Sequence, residues 1–239
     1  VNLNILITGA GMLISLAFAA LVLRQYVERK KMHQLIWGIA LVLWTIGVGA
    51  ELSATLNGWS APAYRMYYAT GALLIPAWLG MGTLFLVFQQ RWVNWVLVGL
   101  GVLSLLGVIL IAVWQIEPAA LQTTPDRFLP LRVFPFFPVQ LVLIVLNTFG
   151  TIAFVGGALW SAWKFAQMRT QGERVVATGL IALGGIVAAI AHSLGVLAGI
   201  ELFRLSELLA VILIFVGFLL TMPATDRRAA PAPDAPSPR

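Results

Sequence analysis

Seven side chains in this sequence could do chemistry that their surroundings make costly: Glu51, Arg65, Tyr68, Asn147, His192, Arg204 and Glu207. Each lies in or beside a long apolar run. Charge at membrane depth costs a few kcal/mol on insertion scales, so ionisable groups placed there tend to face a cavity or one another. Glu51 closes one apolar run, and Arg65 opens the next after the turn Asn57-Gly58 and a proline. The two read either as a clamp across that turn or as part of a binding pocket. His192 shares a face with Gly184 and Ala188 at a spacing of four, which points it into the bundle. Asn147 reads as a pocket residue or as one satisfied by an interhelical hydrogen bond.

Other chemistries are argued against. Cys is absent, so disulfides, thiolate metal sites, iron–sulfur clusters and cysteine nucleophiles are excluded. A retinal Schiff base needs a lysine inside a late helix, and Lys30, Lys31 and Lys164 all sit at run boundaries. His33 and His192 fall at opposite membrane faces, which is wrong for bis-histidine haem. Zinc needs three or four ligands, and no local spacing supplies them around His192. No Ser-His-Asp pattern and no phosphate-cradling glycine loop is present. The expectation is a protein with no cofactor, no metal and no catalysis of its own.

The elements that must hold these residues are transmembrane helices. The chain of 239 residues is 60% hydrophobic and 10% charged, against about 25% charged for an average soluble domain. A chain this apolar takes lipid as its solvent. Seven runs reach the roughly 20 residues that a spanning helix needs: about 4–24, 34–55, 64–88, 93–114, 138–163, 175–198 and 204–222. The fold class is all-α, a single transmembrane domain over 1–224. A Pro/Ala-rich tail over 225–239, without apolar periodicity, reads as disordered.

The 15 Lys and Arg divide eleven to four between the two sets of connections. Arg24, Arg29, Lys30, Lys31 and Arg91 belong to the larger set, which the positive-inside rule places in the cytoplasm. The N-terminus is then outside the plasma membrane and the C-terminus inside. The net charge of +6 reflects this topology rather than a nucleic-acid partner. The first run precedes its basic residues, the reverse of a signal peptide, and reads as a spanning helix. With this topology the seven polar residues gather toward the outer half. The external connection from Gln115 to Pro138 carries five prolines and several Phe, which suits a cap or a segment at the outer interface.

Two further patterns bear on organisation. Gly38, Glu51 and Gly58 recur 141 residues on as Gly179, His192 and Gly199, and Arg65 and Tyr68 recur 139 residues on as Arg204 and Glu207. Spans 1–3 would then match spans 5–7 in a 3+1+3 pseudo-repeat, with the fourth as a linker. Small residues mark packing faces: Gly80 in the third span, Gly150, Gly156 and Gly157 in the fifth, Gly179, Gly184 and Gly185 in the sixth. Pro76 should kink the third span.

Trp44, Glu51 seven residues later, Tyr64-Arg65, and GALLIPAW at 71–78 resemble the seven-helix N-terminal sensor region of certain bacterial histidine kinases. The chain also resembles small stand-alone seven-helix bacterial membrane proteins. The first resemblance implies signal reception in the membrane or its outer leaflet. No kinase follows the seventh span, so output would pass to a membrane or cytoplasmic signalling partner. The 3+1+3 layout is similar to that of the SWEET sugar transporters. Those carry prolines in the first two helices of each repeat, and spans 1, 2, 5 and 6 here have no internal proline. A sensor-like or regulatory module with an outward-facing polar pocket is thus the leading expectation. A small-solute transporter and a structural subunit of a membrane complex are the alternatives.

Overall fold

The structure is a computed structural model. It describes residues 3–88, 90–122, 133–168, 172–198 and 200–222, with the side chains of 192–201 outside that description. The proposed tail over 225–239 also lies outside the described residues. The helices are α1 (Leu3–Arg29), α2 (Met32–Asn57), α3 (Ala61–Tyr67), α4 (Ile75–Val87), α5 (Trp92–Val113), α6 (Leu141–Gln167), α7 (Gly172–Ala198) and α8 (Ile200–Thr221). A π-helical segment, Tyr68–Leu74, joins α3 to α4, so those three pieces form one interrupted span. Seven helices are long and apolar enough to cross a membrane, and the described residues contain no strand. The protein is an all-α, multi-pass membrane protein.

Local signals set the helix ends. Lys30 takes a φ of 50°, and its N–H still reaches the Tyr26 carbonyl at 2.7 Å, so α1 stops within two residues of the start of α2. Gly58, at φ 80°, ends α2 in a conformation that an L side chain resists. Ser60 then caps α3, its Oγ accepting from the Ala63 N–H at 3.4 Å, with Pro62 in the first turn.

Around the bundle the contacts run α1–α2–α4–α6–α7–α8 and back to α1. The fourth span, α5, stands outside this ring against the π segment and α6. Its Trp95, Val98, Val102 and Leu105 are exposed, an apolar face suited to lipid. One buried cluster surrounds Tyr64, Leu73, Met81 and Leu146, and another surrounds Phe18, Leu41, Phe154 and Phe218.

Glycines set how closely the helices approach. A Cβ on Gly150 would overlap the carbonyl of Pro76, and one on Gly80 would lie 2.7 Å from the Gly150 oxygen. Backbone therefore meets backbone where α6 crosses α4. Gly184 and Gly217 do the same between α7 and α8, where an added Cβ would come within 2.9 Å of Ala210 O and 2.6 Å of Ala177 O. Gly156 and Gly179, expected on packing faces, have no neighbour within 4 Å of an added Cβ. Their helices turn those positions away from the contacts.

Polar side chains staple α1 to α2 at two levels. Thr45 Oγ1 donates to Ser15 Oγ at 3.1 Å, and Gln34 Nε2 donates to Gln25 Oε1 at 3.1 Å. Between the fourth and fifth spans, Val133 and Phe134 are buried while Phe136 and Phe137 are exposed. That connection therefore both caps the core and presents an aromatic edge. Phe128, Leu129 and Leu131 lie outside the described residues.

Candidate functional site at the Trp59 end of the bundle

Glu51 was expected at the close of the second helix. α2 continues to Asn57, so Glu51 lies inside the helix and is only 2% exposed. Its cation is not Arg65. Arg204 Nε donates to Glu51 Oε1 at 2.9 Å across 153 residues of sequence, and both side chains are 2% exposed. Arg204 Nη2 donates to Thr55 Oγ1 at 2.6 Å, and that hydroxyl donates to the Glu51 main-chain oxygen at 2.8 Å. The guanidinium thus grips one turn of α2 at two points. A dry ion pair offsets its desolvation only when further hydrogen bonds satisfy its remaining donors and acceptors, and Thr55 supplies one.

Glu207 follows Arg204 by three residues, hence on the same face of α8. On α3, Tyr67 is buried. The Trp59 ring packs edge-on to Tyr67 at 5.4 Å and to Tyr64 at 5.5 Å, roofing this end. The bonded side chains come from α2 and α8.

The other expected site residues go elsewhere. Arg65 turns to α5: Nη2 donates to Trp114 O at 2.7 Å and Nε to Ile111 O at 3.3 Å. A guanidinium at a helix C-terminus satisfies orphan carbonyls and complements the negative end of the helix dipole. Tyr68 joins an aromatic layer, 4.9 Å from the Phe134 ring and 5.3 Å from Tyr64. Asn147 Nδ2 donates to Ala72 O at 2.7 Å and to Leu143 O at 2.9 Å. Its role follows from Pro76. The carbonyl of residue 72 would normally accept from the N–H of residue 76, which proline lacks. His192 lies on α7, and its side chain falls outside the described residues.

Two of the seven expected residues therefore meet, Glu51 and Arg204, and Glu207 lies one turn along α8 from Arg204. Thr55 joins them without having been singled out. Thr55 was within reach of sequence reasoning, because position i+4 shares a helix face with Glu51. Among the described residues no three His, Asp or Glu side chains converge as metal ligands would. Comparison with models of known protein families, with curated proteins and with solved structures finds no match to this chain.

Proposed function

We propose that this chain is a sensor-like regulatory membrane module without catalysis of its own, whose input is the cluster at the Trp59 end. The observation that carries the reading is the dry Glu51–Arg204 pair. It ties the second span to the seventh at one end of the bundle, so whatever alters it changes how two distant segments are held. The positive-inside distribution puts that end outside the plasma membrane and the Lys30 end in the cytoplasm, where a signalling partner would read the output. The resemblance to histidine-kinase sensor regions points the same way.

The test uses the cysteine-free background. Spin labels at Lys31 and Gly172, at the Lys30 end, report spacing far from the cluster. Glu51→Gln is expected to shift the distance distribution between them. Identical distributions in the two proteins would remove the sensor reading.

A transporter of 3+1+3 layout is the second reading, and the order of helix contacts favours it. A two-fold exchange of spans 1, 2 and 3 with 5, 6 and 7 maps the ring of contacts onto itself and leaves the fourth span outside. Solute flux into liposomes, abolished by Glu51→Gln, would establish transport in place of sensing.

A further inference from the structure

Arg24, Arg29, Lys30 and Lys31 fall within eight residues at the α1–α2 turn, with Glu28 the one carboxylate among them. Arg24 Nε engages that carboxylate at 3.0 Å. Four cations against one carboxylate leave a net charge of +3 on the stretch. Every residue from Val27 to Met32 is exposed. The other connections at this end are less concentrated. Arg91 stands alone between α4 and α5, and Lys164, Arg169 and Arg174 are spread over eleven residues with Glu173 among them.

The geometry holds the concentrated charge at one level. α1 has 27 residues, which makes it about 40 Å long against roughly 30 Å for the hydrocarbon core of a bilayer. Its basic end therefore reaches the headgroups. Only Lys30 and Lys31 separate α1 from α2, so the cations cannot swing far from the helix ends. The Lys30 ammonium lies 5.4 Å from the centre of the Tyr26 ring, an attraction that steadies it. Beneath the turn, the buried Gln34 and Gln25 side chains bond to each other and fix α1 against α2. A preset array of cations loses little freedom on binding. Val27 and Met32 are exposed apolar side chains flanking the basic run. They suit the upper acyl chains, while the lysine stems carry their ammonium groups outward.

We infer that the α1–α2 turn is a docking surface for anionic phospholipid headgroups, with Lys30 and Lys31 taking the phosphate and Val27 and Met32 entering the acyl boundary. Basic residues beside a spanning helix attract anionic lipid over about a Debye length. The inference stands apart from the cluster at the Trp59 end. It holds whichever face of the membrane the Lys30 end occupies.

The chain has no Cys, so a fluorophore on Val27→Cys reads the lipid beside the turn. The labelled full chain is placed in vesicles of phosphatidylcholine and phosphatidylglycerol in equal parts. One lipid or the other carries a quenching nitroxide near the top of its acyl chains. Phosphatidylglycerol is expected to quench more strongly at low salt, and high salt to weaken that preference. Lys30→Gln and Lys31→Gln should each lower it by up to about fivefold, whereas Lys164→Gln should leave it unchanged. These side chains are exposed, and Gln preserves most of their length, so the variants keep the fold. Equal quenching by the two lipids before any lysine is changed would overturn the inference and leave the turn to an acidic protein partner. A preference that survives loss of both lysines, or that Lys164→Gln lowers as much, would also overturn it, as diffuse attraction to the whole basic end.

Discussion

Arg204 and Arg65 show how differently one residue type is used in this chain. Arg204 is dry and spans two helices, whereas Arg65 closes the end of a single helix. The Arg65 bonds are charge-assisted, and such bonds contribute about 1.5–3 kcal/mol. Arg65→Leu should therefore cost stability of that order and fray the end of α5. Hydrogen exchange at residues 110–114 should accelerate while exchange in α2 is unchanged. A uniform change across the bundle would contradict this local role. At this scale the sequence revealed which residues were out of place, because charge in an apolar run is conspicuous. It did not reveal the partners. Glu51 and Arg65 are neighbours along the chain, but the pair that forms joins residues 153 apart.

The third span shows the same division between helices. Pro76 announced a disturbance, and one is present, but as a π segment whose form depends on a distant donor. Within that segment the Ile75 N–H bonds to Thr70 O, five residues back. The Ala72 carbonyl, deprived of a donor by Pro76, is served by Asn147 from 75 residues away. No local pattern contains that bond. Asn147→Leu is expected to cost about 0.6–1.7 kcal/mol, the range for interhelical polar contacts in a membrane. Pro76→Ala should recover part of the loss, since it restores an N–H to residue 76. Unfolding measurements on the two single variants and the double variant check this, and no recovery would contradict the assignment. The glycines allow a sharper contrast. Gly150→Ala must push α6 off Pro76 and should markedly lower the unfolding temperature. Gly99→Ala, on the lipid side of α5 with nothing within 4 Å of an added Cβ, should leave it unchanged.

For the whole molecule, hydropathy and length alone delivered seven spans and the all-α class. The described helices overrun several of the apolar runs: α1 continues to Arg29, carrying its basic residues on long stems that keep charge in water while the helix persists. The ring order was not legible, because it depends on which faces carry glycine at backbone contacts. Orientation is open to a simple check in a chain without cysteine. A single cysteine at Asn57 should react with a membrane-impermeant reagent from outside intact cells, and one at Lys30 only after permeabilisation. The opposite pattern would invert the positive-inside assignment and place the cluster on the cytoplasmic side.

Glu51 and Arg204 act as one unit holding the second span to the seventh. A double-mutant cycle on unfolding free energy tests it most directly. Glu51→Gln and Arg204→Met should each cost about 3–5 kcal/mol, because either leaves its partner buried without a counter-charge. Their combination should cost no more than the worse single change. Costs that simply add would show the two residues acting independently, with no such unit between the spans.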